Sequence, residues 1–157
     1  MRRDKKKVWS SLLIVFILVS GISYAEGPVN PKSKDKCPVC GMFVAPYPQW
    51  IAEIIFTDGT YVVFDGPKDM FKYYFDVSKY NKGKTANDIT EIYVTEYYTT
   101  KKINAKDVYF VTGSDVMGPM GKELVPVKGR PEAETFMRDH GGKKMLKFGD
   151  VTPKDIP

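Results

Sequence analysis

Apolar and β-branched residues first cluster in "WIAEIIF" (50–56) and again in "TYVVF" (60–64), with only Thr57-Asp58-Gly59 between them. Two β-rich runs around an Asp-Gly turn predict a tight hairpin, because glycine accepts positive φ without steric cost. "DGPKDMFKYYFD" (65–76) follows. Its proline sits near the first helical position, and Met70, Tyr73 and Tyr74 recur at helical spacing, which predicts a helix. A polar loop (78–88) leads to "EIYVTEYYTT" (91–100), read as one strand. The order is ββαβ.

The pattern then recurs. "KDVYFVTG" (106–113) and "ELVPV" (123–127) read as strands. "KGRPEAETFMRDHGG" reads as a turn and a helix with Ala133, Phe136, Met137 and His140 on one face, ended by Gly141-Gly142. "KMLKF" (144–148) closes the unit. An offset of 63 residues sets Tyr61 on Leu124, Gly66 on Gly129 and Tyr73 on Phe136. The expectation is an α+β fold of two ββαβ repeat units packed together. The first covers residues 37–104 and the second 105–150, with 26–36 a flexible lead-in and 151–157 a tail. The halves differ in one place. Where the first hairpin turns in three residues, the second uses the nine of "GSDVMGPMG" (113–121). Such a loop costs closure entropy without building core, so it is a place for function. It carries Met117 and Met120, read either as soft ligands or as packing beneath the loop.

Charge changes the picture at the N-terminus. "MRRDKKK", the apolar run "LLIVFILV" (12–19) and "SYA" (23–25) read as a signal peptide, residues 1–25, cleaved after Ala25. The protein is therefore expected to be exported, to the periplasm or the outer face of the cytoplasmic membrane, and membrane-bound only if the signal stays uncleaved. The whole chain carries +5, but residues 1–25 hold five basic residues and one acidic, so the remainder is near +1. With no basic face or nucleic-acid motif, a nucleic-acid partner is excluded.

Both cysteines lie in "KDKCPVCGMF" (34–43), with Met42 two residues beyond the second. A disulfide between Cys37 and Cys40 closes too short a loop to remove much unfolded-state entropy. Zinc wants four nitrogen or sulfur ligands, and a second chain or carboxylates would have to complete the pair. The one histidine, His140, falls at a helix end, where capping or packing accounts for it. A thiol-disulfide couple matches the Cys-x-x-Cys spacing, but Gly41, Pro46 and Pro48 oppose the helix that such couples usually begin. Polarizable thiolates and thioethers also suit Cu(I).

The segments "CGMF", "FDGPKDMFKYY", "GSDVMGPMGKELVP" and "AETFMRDHGGKKML" together resemble the NosL family, the copper-binding accessory proteins of nitrous oxide reductase maturation. The resemblance runs from about Cys37 to Phe148. It implies a Cu(I) site in which Cys40, Met42 and Met120 stand at the family's ligand positions, with Cys37 and Met117 as additional soft donors. Two features depart from the family: no lipid-accepting cysteine ends the signal, and "CPVC" replaces a lone cysteine. The resulting expectation is an exported, non-enzymatic Cu(I) metallochaperone using Cys37, Cys40, Met42 and Met120. Its partners would be the copper ion and nitrous oxide reductase or its assembly complex. On this reading, oxidation of Cys37 and Cys40 to a disulfide would release the copper; the alternative is a thiol-disulfide redox protein using the same two cysteines.

Overall fold

The structure is a computed structural model that describes residues 27–157; the segment read as a signal peptide lies outside the described residues. Strands β1 (Ala52–Phe56) and β2 (Tyr61–Phe64) pair antiparallel through the expected three-residue turn, with Gly59 at φ +78°. Helix α1 (Pro67–Phe75) and the single turn α2 (Val77–Tyr80) follow, and β3 (Ile89–Thr95) returns beside β1. Strand β4 (Lys102–Asn104) extends this sheet to the order β2-β1-β3-β4. The second half contains β5 (Val108–Thr112), the short β6 (Met117–Gly118) and β7 (Gly121–Lys122), then β8 (Val125–Lys128), α3 (Arg130–Asp139) and β9 (Lys144–Lys147). Its main sheet has the order β8-β5-β9.

The two sheets share one plan. In each, the first strand is central, flanked by its hairpin partner and by the strand that follows the helix. The helices also begin at the 63-residue offset, at Pro67 after Gly66 and at Arg130 after Gly129. Each helix buries one stripe, Met70, Phe71 and Tyr73 on α1 and Ala133 and Phe136 on α3. The larger core spans both units, because the Phe71 ring lies 4.9 Å from Phe110 of β5 and 5.2 Å from Phe148 beyond β9. A smaller core under α3 holds Trp50, Val111, Val125, Val127 and Phe136.

Two elements differ from expectation. The strand read as 91–100 stops at Thr95. There the buried Glu96 carboxylate accepts hydrogen bonds from the Thr99 N–H (2.8 Å) and hydroxyl (2.7 Å), closing a turn that puts Thr100 at φ +54°. The Tyr97 N–H in that turn donates to the Pro126 carbonyl (2.9 Å), tying it to β8. The 113–121 segment is likewise more than a loop: β6 and β7 form their own hairpin, with Pro119 and Met120 as its two-residue turn. Residues 27–36, read as a flexible lead-in, carry tertiary contacts. The Val29 N–H donates to buried Glu53 (3.0 Å), and the Lys102 ammonium lies 3.0 Å from the same carboxylate. No helix among the described residues is long and apolar enough to cross a membrane.

Candidate metal centre

The Cys-Pro-Val-Cys-Gly segment folds into a knuckle between two paired residues, Lys36 and Phe43. The Cys37 N–H donates to the Met42 carbonyl (2.8 Å) and the Gly41 N–H to the Cys37 carbonyl (2.9 Å). Gly41 adopts φ +80°, which a side chain would resist. Proline at 38 fixes φ inside the turn without wasting a donor. The N–H groups of Val39 and Cys40 point at the Cys37 sulfur, and that of Met42 at the Cys40 sulfur. No helix starts here, as the glycine and prolines indicated.

Two aspartates close the site from the other side. Asp65 ends the β2 hairpin and Asp69 lies in the first turn of α1, where the helix dipole favours negative charge. Cys40 Sγ is 3.3 Å from Asp65 Oδ1, and Cys37 Sγ is 3.5 Å from Asp69 Oδ2. One ligand atom from each of the four residues fits within 4.8 Å of all the others. Cys37, Asp65 and Asp69 are buried and Cys40 is half-buried; both cysteines are free thiols. Burial, reinforced by the adjacent carboxylates, pushes the Cys40 thiol up to about 11 and the Cys37 thiol higher still. The second oxygen of Asp69 pairs with Lys72 at 3.0 Å.

The methionines enter differently. Met42 is half-buried and helps build the knuckle through its backbone. Met117 and Met120 are 55% and 47% exposed, so neither is packing beneath the loop. Met120 sits at the tip of the β6–β7 hairpin, and buried Lys68 anchors that hairpin to α1. The Lys68 ammonium donates to the carbonyls of Met120 (2.6 Å) and Lys122 (2.9 Å). Beneath it, buried Glu123 accepts the Lys68 N–H (2.8 Å) and lies against Gly66 and Gly118, where a Cβ would strike its side chain. His140 is the C-cap of α3. Its ring lies 4.5 Å from Phe136 and meets Asp115 at 3.0 Å, outside the cysteine cluster.

Asp65, Asp69 and Lys68 were missed in the sequence because each already had a local role, as turn former or first-turn helix residue. The available signal was two aspartates, Asp65 and Asp69, on either side of the Gly66-Pro67 helix start, which brings two carboxylates to one helix N-terminus. Lys68→Met is expected to untie the hairpin and weaken binding that depends on Met120 by about 10-fold, the lower end for loss of an outer partner. Metal titration of the variant checks it, and the β6–β7 amides should also exchange faster.

The fold and site define a two-sheet α+β protein with a buried thiol–carboxylate cradle and, on a hairpin that Lys68 ties to the same helix start, an exposed thioether. The NosL family profile matches residues 28–156, and the chain belongs to the NosL family. The fold is similar to the crystal structure of the copper chaperone NosL from Shewanella denitrificans, at TM-score 0.70 and 24% identity over 82% of this chain and 97% of that one. It is also similar to the solution structure of apo-NosL from Achromobacter cycloclastes, at TM-score 0.50 and 24% identity over 67% and 87%. A comparison with curated proteins gave no match.

Proposed function

We propose that this protein is an exported Cu(I) chaperone that takes its cargo on Cys37 and Cys40, with Met120 closing the site and Met42 assisting. The observation that carries the reading is the pairing of two free, converging thiols with a thioether displayed on a hairpin that Lys68 fastens to the helix bearing Asp69. Sulfur donors of this kind prefer Cu(I) to hard cations, and an accessible thioether allows ligand exchange with a recipient. Family membership and the copper-chaperone description of the Shewanella protein support the same reading. Nitrous oxide reductase, or its assembly complex, is the recipient we propose, and the outer side of the cytoplasmic membrane is the proposed location.

The thiol-disulfide alternative fits the site less well. A reactive cysteine of that type has a depressed pKa, near a helix N-terminus or a cation. Here carboxylates and burial push both thiols the other way. Anaerobic Cu(I) titration of reduced protein against a competing chelator tests the proposal. Cys40→Ser is expected to weaken binding about 100-fold and Met120→Leu about 10-fold, the span found even for outer ligand partners. Equal binding by wild type and both variants would sink the copper assignment.

A further inference from the structure

Tyr98 is displayed rather than packed. It is 51% exposed and belongs to neither core, while its neighbour Tyr97 lies 4.9 Å from Phe136. The turn that displays it is demanding to hold. It buries the Glu96 carboxylate, which accepts from the Thr99 and Lys128 N–H groups, and it sets the β-branched Thr100 at φ +54°. A positive φ at such a residue persists only where its surroundings over-determine it, and such residues gather at functional sites.

The surroundings of the ring are apolar below and acidic at the rim. Two shallow, mostly apolar depressions, of about 390 Å³ and 430 Å³, are both lined by Tyr98 and Glu132. Pro131 and Thr135 carry the first along α3 to Asp139, and Thr99 and Gly129 carry the second toward the helix start. Glu132, Thr135 and Asp139 stand at i, i+3 and i+7, one outward stripe of α3. The Tyr98 phenol is pushed up, by desolvation first and then by acidic neighbours, Asp139, Glu96 and Glu132 among them. Two basic groups stand close by: Arg138 pairs with Asp139 at 3.6 Å, both exposed, and Lys128 lines the second depression. An exposed pair of that kind is worth little. Among the described residues Glu132 has no salt bridge, and no lysine or arginine lies over the Tyr98 ring.

We infer that this face is a docking site for an extended, arginine-bearing segment of a partner protein, which lies across Tyr98 with its cations against Glu132 and Asp139. The inference stands apart from the copper reading, because none of these residues belongs to the cysteine cluster. Charge and spacing select the occupant. A guanidinium stacks on a tyrosine face and bonds carboxylates through two parallel N–H groups, which suits an aromatic ring rimmed by acids. Glu132 and Asp139 are seven residues apart on α3. At about 1.5 Å of rise per residue their positions are about 10 Å apart along the helix axis. A polyproline II chain has three residues per turn and rises about 3.1 Å per residue, so side chains three apart share a face about 9 Å apart. Arginines at i and i+3 of such a chain therefore match both carboxylates, and the prolines between them fall over the ring. Grooves lined by aromatic side chains hold segments of this kind, whose stiffness keeps the ordering cost low.

The probe is the peptide acetyl-Pro-Arg-Pro-Pro-Arg-Pro-amide, titrated into reduced 15N-labelled protein and followed by amide chemical shifts. The expected result is saturating shifts at Tyr98, Thr99, Glu132, Thr135 and Asp139, with a dissociation constant below about 1 mM that weakens as salt is raised. Tyr98→Ala and Glu132→Gln should each weaken binding about 10-fold. Glu132→Gln keeps the shape of its side chain, so its loss of affinity reads the charge even if the tyrosine variant disturbs the turn. Three outcomes overturn the inference. The arginine peptide shifts no amides or shifts others instead, or a peptide with glutamate at both arginine positions shifts the same amides equally. Alternatively, these amides shift on raising protein concentration alone, which would make the occupant a second copy of the chain.

Discussion

Phe71→Ala is expected to lower the unfolding free energy by about 3–5 kcal/mol, the usual cost of truncating a fully buried phenylalanine. The residue has no exposed surface, and its ring touches Phe75 on its own helix as well as Phe110 and Phe148 of the other unit. The lost area is therefore shared between the halves, and the cavity falls where neither sheet can collapse onto it alone. Small domains are stable by only about 5–15 kcal/mol, so the variant approaches the threshold of folding. Native-state amide exchange provides the measurement. The amides of Ile54 in β1 and Phe110 in β5 should accelerate by the same factor, since one core holds both sheets. Acceleration in one sheet only would show that the repeats unfold independently.

A strong fall in stability between about pH 4.5 and pH 8 is the second expected result, and Glu123 is its main source. Burial pushes this carboxyl up to about 8 from an ordinary value of 4.5, against the lowering effect of the Lys68 N–H and ammonium; Asp69 adds to the rise. Between those two values the folded chain holds a proton that the unfolded chain has released, so stability declines as pH rises. The contribution is complete below pH 4.5 and gone above pH 8. At 1.36 kcal/mol per unit, the full swing is on the order of 5 kcal/mol. Glu53, also pushed up by burial despite Lys102, adds a slope of the same sign. Glu123→Gln keeps an acceptor for the Lys68 N–H and should flatten most of the slope in urea midpoints collected across this range. An unchanged slope would show that Glu123 ionises freely in the fold. Asp58 and Asp155 are pulled down by Lys84 and Lys144 and act only in acid, below this window.

The repeat was readable in the sequence because its marks are local. A turn glycine before each helix, a proline in its first turn and an apolar stripe recur at one offset, and the two helices start at that offset in space. The break at Glu96 was not readable. Tyr97, Tyr98 and the two threonines all favour strands, and what stops the strand is a buried carboxylate bonding forward to Thr99 and to the Lys128 N–H, a tertiary partner. The site divides the same way. Cys37 and Cys40 announce themselves by type and spacing, and the long second turn marks Met120. Asp65 and Asp69 acquire their meaning only because the chain folds the knuckle onto the α1 start, 25 and 32 residues from the thiols they meet. Lys68 joins a helix to a hairpin more than fifty residues away, and no periodicity records such a bond.

Exposure falls in steps across the sulfur atoms, from Met120 at the hairpin tip through half-buried Cys40 to buried Cys37. On the proposed copper reading, this gradient imposes an itinerary on transfer. An incoming donor from the recipient meets the thioether position first, displaces Cys40 second, and reaches Cys37 only when the ion is already mostly in other hands. Departure is then stepwise and the last bond is the most protected one. Loading runs the same stations in reverse, so the depth of Cys37, rather than any moving gate, sets the order in which bonds to the ion are made and broken.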